Sequence, residues 1–89
     1  MEPEPFQYPI TDSLDLHTFQ PKEARDLLVD YLNECKKLGF NEVRIIHGKG
    51  TGRLRQMVHN ALKGSPLVRS FQLAPPEAGS WGATIVKLK

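Results

Sequence analysis

Apolar residues in this chain follow two rhythms. Between Pro21 and Leu38 an apolar stripe runs through Ala24, Leu27, Leu28, Tyr31, Leu32, Cys35 and Leu38. Spacings of 3, 1, 3, 1, 3 and 3 make one stripe at helical period. Pro21 suits a first helical position, Glu23 falls in the first turn, Lys36 and Lys37 fall in the last, and Gly39 is a natural stop. A second helix is predicted from Arg53 to Lys63, burying Leu54, Met57, Val58, Ala61 and Leu62. Arg53, Arg55 and His59 fall toward its other faces, with His59 read as a surface residue, and Gly64-Ser65-Pro66 ends it.

The other rhythm is alternation. Leu14-Asp15-Leu16-His17, Glu42 to His47, Val68 to Leu73 and Ala83 to Leu88 read as four strands. Pro75 to Ser80 is a turn or loop. The order β-α-β-α-β-β predicts an α/β chain built as a two-layer α+β sandwich. Right-handed crossovers put both helices on one face and make the first two strands parallel. Leu14 and Leu16 then face the helices, leaving Asp15 and His17 on the uncovered face or at the strand end. His17 and His47 close their strands at one edge, where open α/β sheets bind ligands.

Residues 1–12 hold three of the seven prolines and little periodicity, so they are expected to form a flexible arm before a domain at 13–89. Phe6, Tyr8 and Ile10 alternate, which lets the later part of the arm lie along the domain. Eighty-nine residues allow one small domain, expected to be a monomer. No apolar run approaches the length of a membrane span, and the acidic start Met1-Glu2-Pro3-Glu4-Pro5 is unlike a signal peptide. The single cysteine, Cys35, sits in the helical stripe and reads as a core residue in a reducing, cytoplasmic protein. One Cys and three scattered His predict no metal site.

Charge changes the picture. Residues 1–40 carry four Lys/Arg and eight Asp/Glu, net −4, whereas residues 41–89 carry eight and two, net +6. A basic half suits nucleic acid, though it also serves plain solubility. Within it lies His47-Gly48-Lys49-Gly50-Thr51-Gly52, followed by Arg53 and Arg55. The stretch is neither a Walker A loop nor a dinucleotide fingerprint. Three alternate glycines ahead of a helix exceed what a turn needs and suit close approach to phosphate. Lys49 would meet that phosphate as a point charge, and Arg53 and Arg55 would grip it with two N–H groups each. Asp15-x-His17 admits two readings: an acid–base pair whose carboxylate orients an imidazole, or the polar side of a half-buried strand. Trp81, between Gly79-Ser80 and Gly82, either stacks on a base or plugs the core edge.

Taken in order, Leu14-Asp15-Leu16-His17, His47-Gly48-Lys49-Gly50-Thr51-Gly52 with Leu54-Arg55, and Gly79-Ser80-Trp81-Gly82-Ala83-Thr84 resemble the motifs of the Smr (small MutS-related) domain family over about residues 13–89. The third motif departs from the pattern, with Ser80 where many members have a second glycine. The resemblance implies a fold like the C-terminal domain of bacterial translation initiation factor three. That fold has a four-stranded mixed sheet whose last strand is inserted, antiparallel, beside the second. It implies an endonuclease that nicks DNA or cleaves RNA, in some members at ribosomes, with Asp15 and His17 as the catalytic pair. It places Gly48, Lys49, Gly50 and Gly52 at the substrate together with His47.

No ATPase domain precedes the motifs, so a free-standing Smr unit is expected. Thr51, Arg53, Arg55, Trp81 and Gly82 complete the expected phosphate-binding set, and His47 joins Asp15 and His17 in the catalytic one. Backbone N–H groups of residues 48–52 are expected to form an anion nest. RNA is favoured over DNA, since 2′-OH attack needs no metal, whereas a water nucleophile on DNA would call for Mg²⁺. The alternatives are a non-catalytic RNA- or ribosome-binding module and a small-molecule phosphate site.

Overall fold

The computed structural model describes residues 10–78 and 82–89. The elements run β1 (Ser13–Asp15), α1 (Pro21–Lys37), β2 (Glu42–Ile46), α2 (Arg53–Lys63), β3 (Val68–Leu73), a 3-10 turn (Pro76–Ala78) and β4 (Ala83–Leu88). The strand order is β1-β2-β4-β3. β1 and β2 are parallel, with Leu14 opposite Ile45 and Asp15 opposite Ile46. β4 is inserted between β2 and β3 and runs antiparallel to both, with Ala83 opposite Ile46. The start of β4 therefore meets the carboxyl end of β2, at the same edge of the sheet where β1 ends.

Helix α1 buries Ala24, Leu28, Tyr31, Leu32 and Cys35. Its stripe stops one residue early: Leu38 is the C-cap and 56% exposed, and Gly39 takes φ +81°. That left-handed turn ends the helix, brings Phe40 back against the core and is cheap only for glycine. The Cys35 thiol is buried, and burial pushes its pKa up. Helix α2 buries Val58 and Leu62 fully, with Leu54, Met57 and Ala61 at the margin.

These side chains meet Leu16, Val43, Ile45, Val68, Val86 and Leu88 in one core on one side of the sheet. Asp15, Arg44 and Ile46 belong to the opposite pleat phase, because successive strand residues point to opposite faces. The end of the expected arm is held to the domain: Ile10 packs on the core, the Tyr31 hydroxyl donates to the Thr11 carbonyl (2.5 Å), and the Arg44 N–H donates to the Asp12 carbonyl (2.8 Å). Phe6 and Tyr8 lie outside the described residues. Among the described residues, no helix is long and apolar enough to cross a membrane.

Candidate functional site

Strand β1 ends at Asp15, two residues short of the expected strand end. The Leu16 N–H donates to the Ile46 carbonyl (2.7 Å), Leu16 turns into the core, and the Phe19 N–H closes a turn on the Leu16 carbonyl (3.0 Å). The Asp15 carboxylate organises that turn. One oxygen, Oδ1, accepts from the His17 backbone N–H (3.0 Å) and from His17 Nδ1. An ionised carboxylate only accepts, so Nδ1 carries the proton and Nε2 is the nitrogen left to present. The two side chains are 49% and 54% exposed, so water or substrate reaches them. Partial burial raises the Asp15 pKa, but the ring, N–H and charge of His17 outweigh it and hold the carboxyl below its ordinary value of 3.8.

The glycine loop leans on this turn. Gly48 takes φ +82°, and a Cβ there would sit 3.3 Å from the His17 Cβ. Gly52, at φ +87°, caps α2, and the Arg55 guanidinium folds over it, 3.3 Å from where a Cβ would stand. Gly50 is different, because its φ lies outside the left-handed region and a Cβ would meet nothing within 4 Å. Neither backbone conformation nor internal packing asks for glycine at residue 50. His17, Gly48, Lys49, Gly50, Leu54 and Arg55 are among the residues lining a cleft of about 340 Å³ that, among the described residues, no carboxylate lines.

Several expected site residues take parts other than those expected, although His47 also borders this cleft. His47 continues the inward phase of Val43 and Ile45 and is 3% exposed. Its Nδ1 lies 3.1 Å from the Gly48 carbonyl and its Nε2 lies 2.8 Å from Thr84 Oγ1, so both ring nitrogens are engaged inside the fold. Gly82 is buried beneath the loop. Its carbonyl accepts from the N–H groups of His47 (3.0 Å) and Gly48 (2.8 Å), and the Lys49 stem packs over it, 3.2 Å from where a Cβ would stand. The Gly48 N–H is thereby withdrawn from the expected anion nest. Arg53 is not among the cleft-lining residues and lies along the groove between α1 and α2, while Thr51 and Gly52 border both recesses. Trp81 lies outside the described residues.

Three residues take parts that the sequence reading did not give them. His59, expected on the surface, is half-buried, with Nε2 2.8 Å from the same Thr84 hydroxyl and its ring 5.1 Å from Phe71. Donor counting orders this group. A carbonyl only accepts, so His47 Nδ1 donates to Gly48 and neutral His47 Nε2 accepts from the Thr84 O–H. The Thr84 oxygen is then left to accept from His59 Nε2–H. The chain runs His59 to Thr84 to His47 to Gly48 and ends on the glycine that touches His17. Burial depresses the pKa of both rings, helped by the Arg55 charge and, at His59, by His47 and Lys63. A signal for Thr84 exists, since a polar residue shares the inward phase of Val86 and Leu88; His59 has none. Phe19, 39% exposed and two residues beyond His17, is an aromatic surface that the motifs did not flag. Among the described residues, no three His, Cys, Asp or Glu side chains gather to hold a metal ion.

The model of the Smr domain family matches residues 14–89. The chain is 41% identical over 80 residues to the protein named Endonuclease MutS2 of Thermomicrobium roseum, covering 90% of this chain and 10% of that one. It is 48% identical over 75 residues to the Helicobacter pylori protein of the same name, covering 84% and 10%. The chain thus spans about a tenth of the length of these relatives. The crystal structure of the Smr domain of Thermus thermophilus MutS2 superposes with TM-score 0.85 at 40% identity, covering 86% of this chain and 96% of that one. That of YdaL, a stand-alone small MutS-related protein from Escherichia coli, superposes with TM-score 0.85 at 30% identity, covering 92% and 67%.

Proposed function

The chain belongs to the Smr domain family, and on that premise we propose that it is a nucleic-acid endonuclease domain that cleaves RNA. The observation that carries this reading is the Asp15–His17 pair, half-exposed and leaning on a basic glycine loop. Proteins named Endonuclease MutS2 share this domain, which adds support for phosphodiester cleavage.

In this reading His17 Nε2 takes the proton from a ribose 2′-OH as that oxygen attacks the neighbouring phosphorus. The P–O2′ bond forms, the P–O5′ bond breaks, and the leaving 5′-oxygen takes a proton from water. A 2′,3′-cyclic phosphate and a 5′-OH end result. Asp15 keeps the proton on Nδ1 and favours the imidazolium that forms. Lys49 and Arg55 balance charge on the phosphate oxygens. Phe19 offers a face for an adjacent base. His47 enters as a positioning residue, since it holds Gly48 against His17 and has no nitrogen to spare. Cleavage of DNA would need a water nucleophile, for which Asp15 is the carboxylate at hand to hold Mg²⁺, and that carboxylate is tied to His17.

The test is cleavage of single-stranded RNA and of supercoiled plasmid by wild type, Asp15→Ala and His17→Ala, with and without EDTA. Wild type is expected to cut RNA in EDTA, leaving cyclic phosphate ends, and both variants to bind RNA without cutting it. Undiminished cutting by both variants removes this mechanism. A nuclease-free wild type that binds RNA and never cuts it would make the chain a binding module.

A further inference from the structure

We propose that the groove between α1 and α2 is a second nucleotide-binding site, which takes the stretch of single-stranded nucleic acid that leaves the His17 cleft. The inference rests on the nucleic-acid reading above and extends it to a path across the surface. Three observations converge on it.

The groove is continuous with the cleft, because Thr51 and Gly52 border both. A chain whose scissile phosphate sits at His17 and Lys49 therefore has an open route past the start of α2. The N-cap there is Gly52, which has no side chain to cap the first turn, and no acidic residue stands in that turn. No carboxylate in that turn offsets the positive end of the helix, where the Arg53 N–H donates to the Thr51 hydroxyl (3.4 Å).

The charge is complementary to phosphate. Arg25 of α1 and Arg53 of α2 line the groove, Gln56 and Asn60 add neutral hydrogen-bonding groups, and among the described residues no lining residue is acidic. This contrasts with residues 1–40 as a whole, whose net charge is −4 (four Lys/Arg against eight Asp/Glu). Asp26 and Asp30 flank Arg25 and Val29 in sequence, yet neither lines the groove.

The shape suits unpaired bases. The volume is about 720 Å³, within the range of pockets that hold small organic ligands. Val29 and Met57 line it, with Val29 47% exposed despite its apolar side chain. Cationic and amide side chains beside apolar ones match a strand that sends phosphates to one and base faces to the other. A duplex keeps its bases stacked inside and would leave the apolar part unused.

The experiment measures affinity for a tetranucleotide and a dodecanucleotide of RNA, over a range of salt. Wild type, Arg25→Ala, Gln56→Glu and the cleft variant Lys49→Ala are compared, using a substrate with 2′-O-methyl groups that cannot be cut. Arg25 and Gln56 are exposed, and circular dichroism checks that each variant is folded. Wild type is expected to bind the longer strand more tightly. Arg25→Ala and Gln56→Glu are expected to remove most of that gain while leaving the tetranucleotide nearly unaffected. Arg25→Ala should also lower the slope of log affinity against log salt by about 0.7, the loss of one single-strand phosphate contact. If Lys49→Ala weakens both strands and the groove variants change neither the gain nor the slope, the groove is not part of the path and the nucleic-acid reading stands. If wild type binds neither strand, that reading falls and the groove proposal falls with it.

Discussion

The rings of His47 and His59 stand edge to face, 6.0 Å between centroids at 83°, and both reach one hydroxyl, that of Thr84. A hydroxyl has a single proton to donate, so the two histidines cannot both accept it, and a neutral His47 whose Nδ1 donates to Gly48 has no proton on Nε2 to give. His47 accepts and His59 donates, and the order is set by the Gly48 carbonyl at the far end. The arrangement ties α2 and β4 to the glycine loop and, through Gly48, to the His17 turn.

Thr84→Val keeps the shape and removes the hydroxyl, leaving the half-buried His59 N–H and the buried His47 Nε2 without partners. The expected loss is about 1–3 kcal/mol for a buried polar group left unsatisfied. Thr84→Ser keeps the hydroxyl and should cost less. Urea unfolding of the three proteins measures both. A Val variant as stable as wild type, with the loss confined to the Ser variant, would mean that the methyl group, not the hydroxyl, matters.

Stability should fall with acid in two separate windows. The folded pKa values of His47 and His59 are depressed by burial, so the folded state resists protons that the unfolded chain accepts at the ordinary value of 6.5. Their contribution is complete above pH 6.5 and is lost as pH falls below it through the folded values. Asp15 is also depressed, and its contribution is lost only below its ordinary 3.8. Urea midpoints between pH 8 and 5 should decline, and His59→Gln should flatten part of that decline. A flat wild-type profile would count against buried neutral histidines.

Two glycines of one loop should answer differently to alanine. Gly48→Ala puts a Cβ in a left-handed backbone and 3.3 Å from the His17 Cβ. It should cost about 1–3 kcal/mol of stability and reduce cleavage, because His17 must move. Gly50→Ala meets open space at an unremarkable φ and should leave the melting temperature unchanged. If the loop holds phosphate against its backbone, Gly50→Ala should still weaken RNA binding. Unchanged binding would place the substrate away from residue 50.

Asp15→Asn is the sharper probe of the catalytic pair. An amide nitrogen can donate to the ring, which favours the wrong tautomer and offers no charge to the imidazolium. Cleavage should fall by about 10²–10⁴, the range for a positioned acid–base group, with RNA affinity little changed. Single-turnover cleavage alongside equilibrium binding separates the two. Comparable losses in rate and affinity would assign Asp15 to binding rather than to proton transfer.

Sequence periodicity by itself determined the elements. The bounds of α2, β3 and β4 match the apolar pattern, because the period of each stretch reflects which side of it leaves water. The outward placing of Asp15 follows in the same way from Leu14 and Leu16. Even the burial of His47 was legible, since it continues the phase of Val43 and Ile45; its motif drew attention to chemistry and away from that phase. Tertiary structure alone decided the rest. His59 and Thr84 lie 25 residues apart and meet only because α2 packs on the face where β4 lies between β2 and β3. Arg53 and Arg55, two residues apart, go to different recesses because helical residues that close point to different faces. Local pattern reports which groups seek water. Which polar groups find each other depends on strand order and helix docking, where contacts far apart in sequence are made.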